Sequence, residues 1–348
     1  MSVVWVFVGI FMGLPFLMEL FLSFLSLRWK PTFPAFRSSK RVKRLPFVSV
    51  LVPAYREPPD IVIRTLESLR KQSYPNYEVL VLVNNTPEVE LWLPVKLYCS
   101  KVGKPFKFVY LENVKGYKAG VLNIAENYMD PRTEIIAVVD SDYVVKSDFI
   151  SSAISYFLDP DVGVVQFPQD YRDFPNNPFF VAMYYSYRYF FAVIMKICDF
   201  LRATSFMGTV GFIRKSALID AGRWDGKVLT EDSETGLRIN AYGYKCIYLD
   251  KSVGKGLMPL DMVSLKTQRF RWAFGNMQTI VKHIGLLTLY RTLPFTKKVA
   301  FIVQNTVWHN PLVMVLIHSF VSYFYRPIAI SALTLTLLYF VSKSIIFL

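Results

Sequence analysis

Asp140 and Asp142 end the apolar run Ile135-Ile136-Ala137-Val138-Val139 with two carboxylates one residue apart. An uncharged, β-branched run of this kind predicts a strand buried on both faces, as in a mostly parallel sheet. Ligands bind such sheets at the carboxyl ends of the strands. There, two carboxylates can converge on a hard divalent cation and leave coordination positions open for a diphosphate. An Asp-rich turn explains the same residues taken alone. Further along, Thr230-Glu231-Asp232 precedes a helical pattern at Leu237 and Ile239, so Thr230 reads as a helix cap and both acids fall in the first turn. Gln268-Arg269-Phe270-Arg271-Trp272, if helical, presents Gln268, Arg271 and Trp272 on one face. Arg271 then offers a bidentate cation for phosphate, and Trp272 a flat ring for stacking on a sugar. A basic amphipathic helix at a membrane fits the pentapeptide equally well in isolation. Phe206-Met207-Gly208-Thr209 is a stretch where backbone can approach a ligand, or a plain turn.

These residues need elements to position them. Strands are expected at Phe47–Val52, Tyr77–Val83 (ending in Asn84-Asn85), Phe106–Tyr110, Ile135–Val139 and Val162–Phe167. Helices are expected over Ile61–Lys71 and from Gly116 through Asn127. The alternation predicts an α/β domain with helices on both faces of its sheet. Phe179–Ile197 is long and aromatic, but Arg188 and several tyrosines interrupt it. A membrane crossing there would also separate Asp140 from Asp232, so it reads as a helix lying at a bilayer surface.

The chain has 348 residues, 53% of them hydrophobic, more than a soluble domain carries. Val3–Leu27 is long enough to cross a bilayer, and Arg28, Lys30, Arg37, Lys40, Arg41, Lys43 and Arg44 follow it without an intervening acid. That cluster supplies much of the net charge of +14 and suits anionic lipid better than nucleic acid. Val299–Tyr323 and Ile328–Leu348 are also apolar enough to span, and Gln304, Asn305, His309 and Asn310 within the first are polar groups that could line a path for a bound molecule, sit near an interface or pair between helices. The expected organisation is a transmembrane helix (1–28), a basic cytosolic linker (29–45), the α/β domain (46–285), an interfacial helix (286–298) and two transmembrane helices (299–348). This describes a multi-pass integral membrane protein with its catalytic domain on the cytoplasmic side. The three cysteines show no paired spacing, and no His-based metal motif is present.

In order and spacing, Asp140-Ser141-Asp142, Thr230-Glu231-Asp232 and Gln268-Arg269-Phe270-Arg271-Trp272 resemble the D..DxD..TED..QxxRW set of family 2 membrane glycosyltransferases of the cellulose synthase-like and ceramide glucosyltransferase-like kind. Lys118-Ala119-Gly120-Val121-Leu122-Asn123 is similar to the family's KAGxLN segment, and Val165-Gln166-Phe167-Pro168 to its QTP-like segment. The resemblance implies a GT-A, Rossmann-like nucleotide-sugar-binding fold, Mg²⁺ or Mn²⁺, and inversion at the anomeric carbon. On it, Asp140 and Asp142 would hold the metal, with Asp140, Lys118 and Arg271 facing the donor's diphosphate. Glu57, Asn84 and Asn85 would lie on the donor side. Asp232, with Glu231 beside it, would be catalytic, Asp232 as the base. Trp272, Gln268, Phe206, Gly208 and Thr209 would line the acceptor site. Asn84-Asn85 stands where the family usually has acids contacting uracil, so UDP is the leading nucleotide and GDP the alternative.

The leading reading is transfer of one sugar from a nucleotide-sugar to a lipid-embedded acceptor. A processive polysaccharide synthase acting on a glycan, with a homo-oligomer as its expected assembly, is the runner-up. A non-catalytic nucleotide-sugar-binding membrane subunit is the reading from another class, and nucleic-acid binding is disfavoured by where the charge lies.

Overall fold

The computed structural model describes residues 20–33, 44–289 and 292–309. Strands β1 (Phe47–Ala54), β2 (Tyr77–Asn84), β3 (Phe106–Leu111), β4 (Thr133–Val138), β5 (Val144–Val145), β6 (Val162–Gln166), β7 (Tyr171–Arg172), β8 (Gly211–Arg214), β9 (Lys245–Tyr248) and β10 (Gly254–Leu257) form two sheets among these residues. The larger runs β3-β2-β1-β4-β8-β6-β9, and the smaller β5-β10-β7. Both faces of the larger sheet are covered, as its uncharged strands require. Val48, Val50 and Val52 of β1 enter one core with Val79, Val81 and Val83 of β2. Leu51, Leu80 and Leu82 enter the core on the opposite face.

The sheet is parallel except for β8, which runs antiparallel to both β4 and β6. This inversion positions the site. Gly211, the first residue of β8, pairs with Val138 at the end of β4 and with Gln166 at the end of β6. The loop feeding β8 must therefore cross the carboxyl ends of those strands, bringing Gly208 and Thr209 to Asp140.

Helices α1 (Pro59–Arg70), α2 (Val89–Val102), α3 (Tyr117–Ala125) and α4 (Phe149–Ile154) belong to the first half. The second half carries α5 (Pro178–Tyr189), a π-helical segment Phe190–Ile194, α6 (Met195–Phe200), α7 (Lys215–Asp220), α8 (Glu231–Ala241), α9 (Met262–Lys282), α10 (Ile284–Thr288) and α11 (Phe295–Thr306). The aromatic stretch expected at a bilayer surface is α5, the π segment and α6 in continuous succession. Its central turns are buried: Tyr187, Phe191, Val193, Ile194 and Met195 are each less than 5% exposed. Packing inside the protein thus accounts for the aromatics of these central turns, while Phe179, Tyr185 and Phe200 stay exposed.

A single interfacial helix over 286–298 is not formed. Pro294, which cannot donate within a helix, stands at the cap of α11, and α11 runs across the expected 298/299 boundary. Residues 20–27 are helical. Among the described residues no helix is long and apolar enough to cross a membrane. Most of the expected first span, all of Ile328–Leu348 and most of Val299–Tyr323 lie outside them.

Candidate active site

Asp140-Ser141-Asp142 forms a tight turn where β4 ends, with the Tyr143 amide donating to the Asp140 carbonyl at 3.1 Å. The turn is held from three sides. Thr65 Oγ1 on α1 donates to the Ser141 carbonyl at 2.7 Å, the Asp140 amide donates to Thr209 Oγ1 at 3.0 Å, and the Leu257 amide donates to Asp142 Oδ2 at 3.1 Å. Lys118, in the first turn of α3, forms a salt bridge with Asp140 and donates to the Gly208 carbonyl at 2.8 Å.

Thr230 is at the N-cap of α8, as expected, but its hydroxyl caps nothing and is a buried atom with no partner. Asp232 Oδ1 instead accepts from the Ser233 amide at 2.8 Å. Its other oxygen rests over Gly208, whose φ is +80°, and a Cβ added to that glycine would stand 2.5 Å from Asp232 Oδ2. Glycine is required there for both reasons. The next turn of chain is also strained: Val210, β-branched and fully buried, has φ +43°.

α9 carries the aromatic-basic motif to the same place. Gly275 lets it press against Thr230, since a Cβ there would meet Thr230 Cγ2 at 2.7 Å. Gln278 Oε1 accepts from the Leu229 amide at 3.2 Å. Tyr187 OH donates to Gln268 Oε1, and the Tyr187 ring packs edge-on to Trp272 at 5.7 Å. Arg269, between the named motif positions, lies over Tyr187 and Trp308, each at 4.4 Å, and over Trp272 at 5.1 Å. It pins Trp272 from behind while Arg271 faces the cavity.

Lys118, Asp140, Asp142, Gly208, Glu231, Asp232, Gln268, Arg271 and Trp272 line one cavity of about 360 Å³. A smaller space of about 60 Å³ adjoins Asp232 and Trp272 and continues between Tyr187, Phe190, Phe191, Gln304 and Trp308. Gln304 and Asn305 pair between helices: Gln304 Nε2 donates to Ser233 Oγ at 3.3 Å, and Ser233 Oγ donates to Asn305 Oδ1 at 3.1 Å.

Other expected site residues stand elsewhere. Phe206 is fully buried in the core beneath the sheet, so it supports the loop and lines no acceptor surface. Thr209, 2% exposed, uses its hydroxyl to hold the Asp140 amide. Asn85 has φ +46° and is spent on the Val114 backbone, donating to its carbonyl and accepting from its amide, both at 2.9 Å. Asn84, 8% exposed, donates to the Ala54 carbonyl at 3.1 Å. The two amides stitch loops together. Glu57 is close enough to Asp140 to be raised, first by burial and then by that neighbour.

Met207, within the Phe206-Met207-Gly208-Thr209 stretch, also lines the cavity, as do Tyr117 and Gln169, which only flank the motifs named above. Tyr117 lies inside Gly116-Tyr117-Lys118 and Gln169 directly follows Val165-Gln166-Phe167-Pro168, so adjacency was their available signal.

Four carboxyl groups and two cations line the cavity. Asp142 is pushed up to about 7, by burial first and then by Asp140. Glu231 and Asp232 are both raised, chiefly by burial; Asp232 pushes Glu231 further, while Lys118 opposes the shift in both. Lys118 is held above its usual value, because Asp140, Glu231 and Asp232 together outweigh its burial. Among the described residues no three acids, histidines or cysteines gather into a ready-made metal cage. The excess of hard oxygen donors over positive charge fits a divalent cation held by the Asp140–Asp142 pair.

The GT-A-like α/β fold is shared with solved structures. The mannosyltransferase PcManGT from Pyrobaculum calidifontis, in complex with GDP-Man and Mn²⁺, superposes with a TM-score of 0.66 at 19% identity, covering 97% of this chain and 95% of that one. In sequence, a family model described as glycosyl transferase family group 2 matches residues 135–343. The chain belongs to this family of glycosyltransferases. More particularly, it is 30% identical over 240 residues to a UDP-forming cellulose synthase catalytic subunit of Pseudomonas fluorescens, covering 67% of this chain and 31% of that protein. It is 26% identical over 262 residues to glucomannan 4-beta-mannosyltransferase 7 of Arabidopsis thaliana, covering 73% of this chain and 47% of that protein. The chain thus spans under half the length of these relatives.

Proposed function

We propose that this chain is a metal-dependent, inverting glycosyltransferase using a UDP- or GDP-sugar. The carrying observation is that Asp140, Asp142, Lys118, Asp232, Arg271 and Trp272, from four separate stretches of sequence, line a single cavity.

Asp140 and Asp142 would hold the divalent ion, which when bound would offset the negative charge of the leaving diphosphate. Lys118 and Arg271 add fixed positive charge beside it. Asp232, kept basic by burial among other acids, removes the proton from the acceptor hydroxyl as that oxygen attacks the anomeric carbon. Direct displacement inverts the centre and needs no covalent enzyme intermediate. Trp272 stacks on the acceptor, and the aromatic-walled space beyond it receives the remainder of that molecule.

For the acceptor, the reading is a lipid-embedded molecule at the cytoplasmic face of a membrane. The apolar segments at both ends of the chain and the basic residues after the first support it. A second reading, processive polysaccharide synthesis, is favoured by the names of the cellulose synthase and glucomannan relatives. Membranes bearing the chain, given labelled UDP- and GDP-sugars with Mg²⁺ or Mn²⁺, separate the two. A short lipid-extractable product supports the first, a ladder of long chains supports the second, and no nucleotide release from any donor contradicts both.

A further inference from the structure

We propose that Tyr117 is a donor-binding residue whose ring forms one stacking wall of the catalytic cavity. This rests on the cavity being a nucleotide-sugar site. Tyr117 lines that cavity next to Lys118, yet the residue is 74% exposed and no core packing explains an aromatic there. Its backbone is strained as well: φ is +53°, a left-handed conformation that is an outlier for a bulky residue.

The surroundings hold that strain in place. Gly116 at φ +85° lies against Gly226, so a Cβ on Gly116 would meet the Gly226 Cα at 3.3 Å. The Gly120 amide donates to the Gly116 carbonyl at 3.0 Å, and a Cβ on Gly120 would stand 1.9 Å from the Lys115 carbonyl oxygen. The turn is therefore locked, and glycine or asparagine would fit position 117 more easily than tyrosine does. Strain kept by an over-determined turn, on a solvent-facing aromatic beside the diphosphate-binding lysine, belongs to function rather than to folding. A planar ring there can stack on the nucleoside or on the sugar ring of the donor.

The test compares wild type with Tyr117→Phe, Tyr117→Asn and Tyr117→Gly in the membrane-bound full chain. It follows released nucleotide against donor concentration, inhibition by the nucleoside diphosphate alone, and thermal midpoint. Tyr117→Phe is expected to keep the wild-type donor KM. Tyr117→Asn and Tyr117→Gly are expected to raise it about tenfold, the scale of one lost stacking contact, with kcat changed far less. Tyr117→Gly is also expected to unfold no earlier than wild type, because the strain is relieved. Inhibition by the diphosphate weakening in parallel assigns the ring to the nucleoside, and unchanged inhibition assigns it to the sugar. Wild-type KM in the Asn and Gly variants, or a Phe variant as impaired as Asn, overturns the proposal while leaving the transferase reading intact. A wild type that releases no nucleotide from any donor removes both.

Discussion

Gly208 and Asp232 show how little room the chemistry leaves at single residues. The glycine's positive φ and the carboxylate resting on it mean that one methyl group must displace the base or unwind the loop. Gly208→Ala is expected to lower kcat at least a hundredfold, the scale on which a misplaced catalytic group is felt, while thermal midpoint falls by only a few degrees. A paired turnover and melting experiment checks this. Residue types and order were enough to nominate Asp140, Asp142, Asp232, Gln268, Arg271 and Trp272, because each carries chemistry on its own side chain. Phe206, Thr209, Asn84 and Asn85 were harder. Their side chains are spent on the core or on backbone groups, which depends on partners distant in sequence.

Elements hold these residues in register, and a buried carboxylate links α8 to the end of α9. Glu234, in the first turn of α8 with no exposed side-chain surface, accepts from both Lys282 Nζ and His283 Nε2 at 2.7 Å and from Arg238. Burial alone would raise its carboxyl, but the hydrogen bonds from His283, Arg238 and Lys282 prevail and hold it at about 2, against 4.5 ordinarily. A depressed carboxyl contributes stability that is complete above its unfolded value and is lost as pH falls through the folded one. Unfolding free energy followed from pH 5 to pH 2 is therefore expected to decline by up to roughly 3 kcal/mol on this account. Glu234→Gln is expected to remove that part of the decline and to destabilise by about 3 kcal/mol at neutral pH, since the buried ion pairs with Arg238 and Lys282 are lost. An unchanged pH dependence in the variant would contradict the assignment.

β1, β2, β3, β4 and β6, with α1 and α3, were legible as elements, because their apolar periodicity is set by burial on known faces; the short parallel strand β9 was not. α2 was not, since Pro94 lies inside it and only Val95 and Cys99 are buried. The four-residue β8 and the two-residue β5 and β7 were hidden too: strands that short carry no periodicity and exist only through their partners.

At the scale of the whole molecule, the antiparallel entry of β8 and the docking of α9 and α11 on α8 bring three remote motifs to one cavity, with an aromatic-walled space leading away beside them. Membrane attachment belongs to this scale. Its expected signature is retention of the chain in the pellet after an alkaline carbonate wash, and full release into the supernatant would contradict it. The convergence itself is tested most directly by Asp232→Asn, measured for donor binding and for nucleotide release with Mn²⁺ in the same preparation. The expected result is nucleotide binding within a few-fold of wild type and turnover reduced about a thousandfold or more. Turnover at the wild-type rate would contradict the placement of the base, and with it the reading of this cavity as the site of sugar transfer.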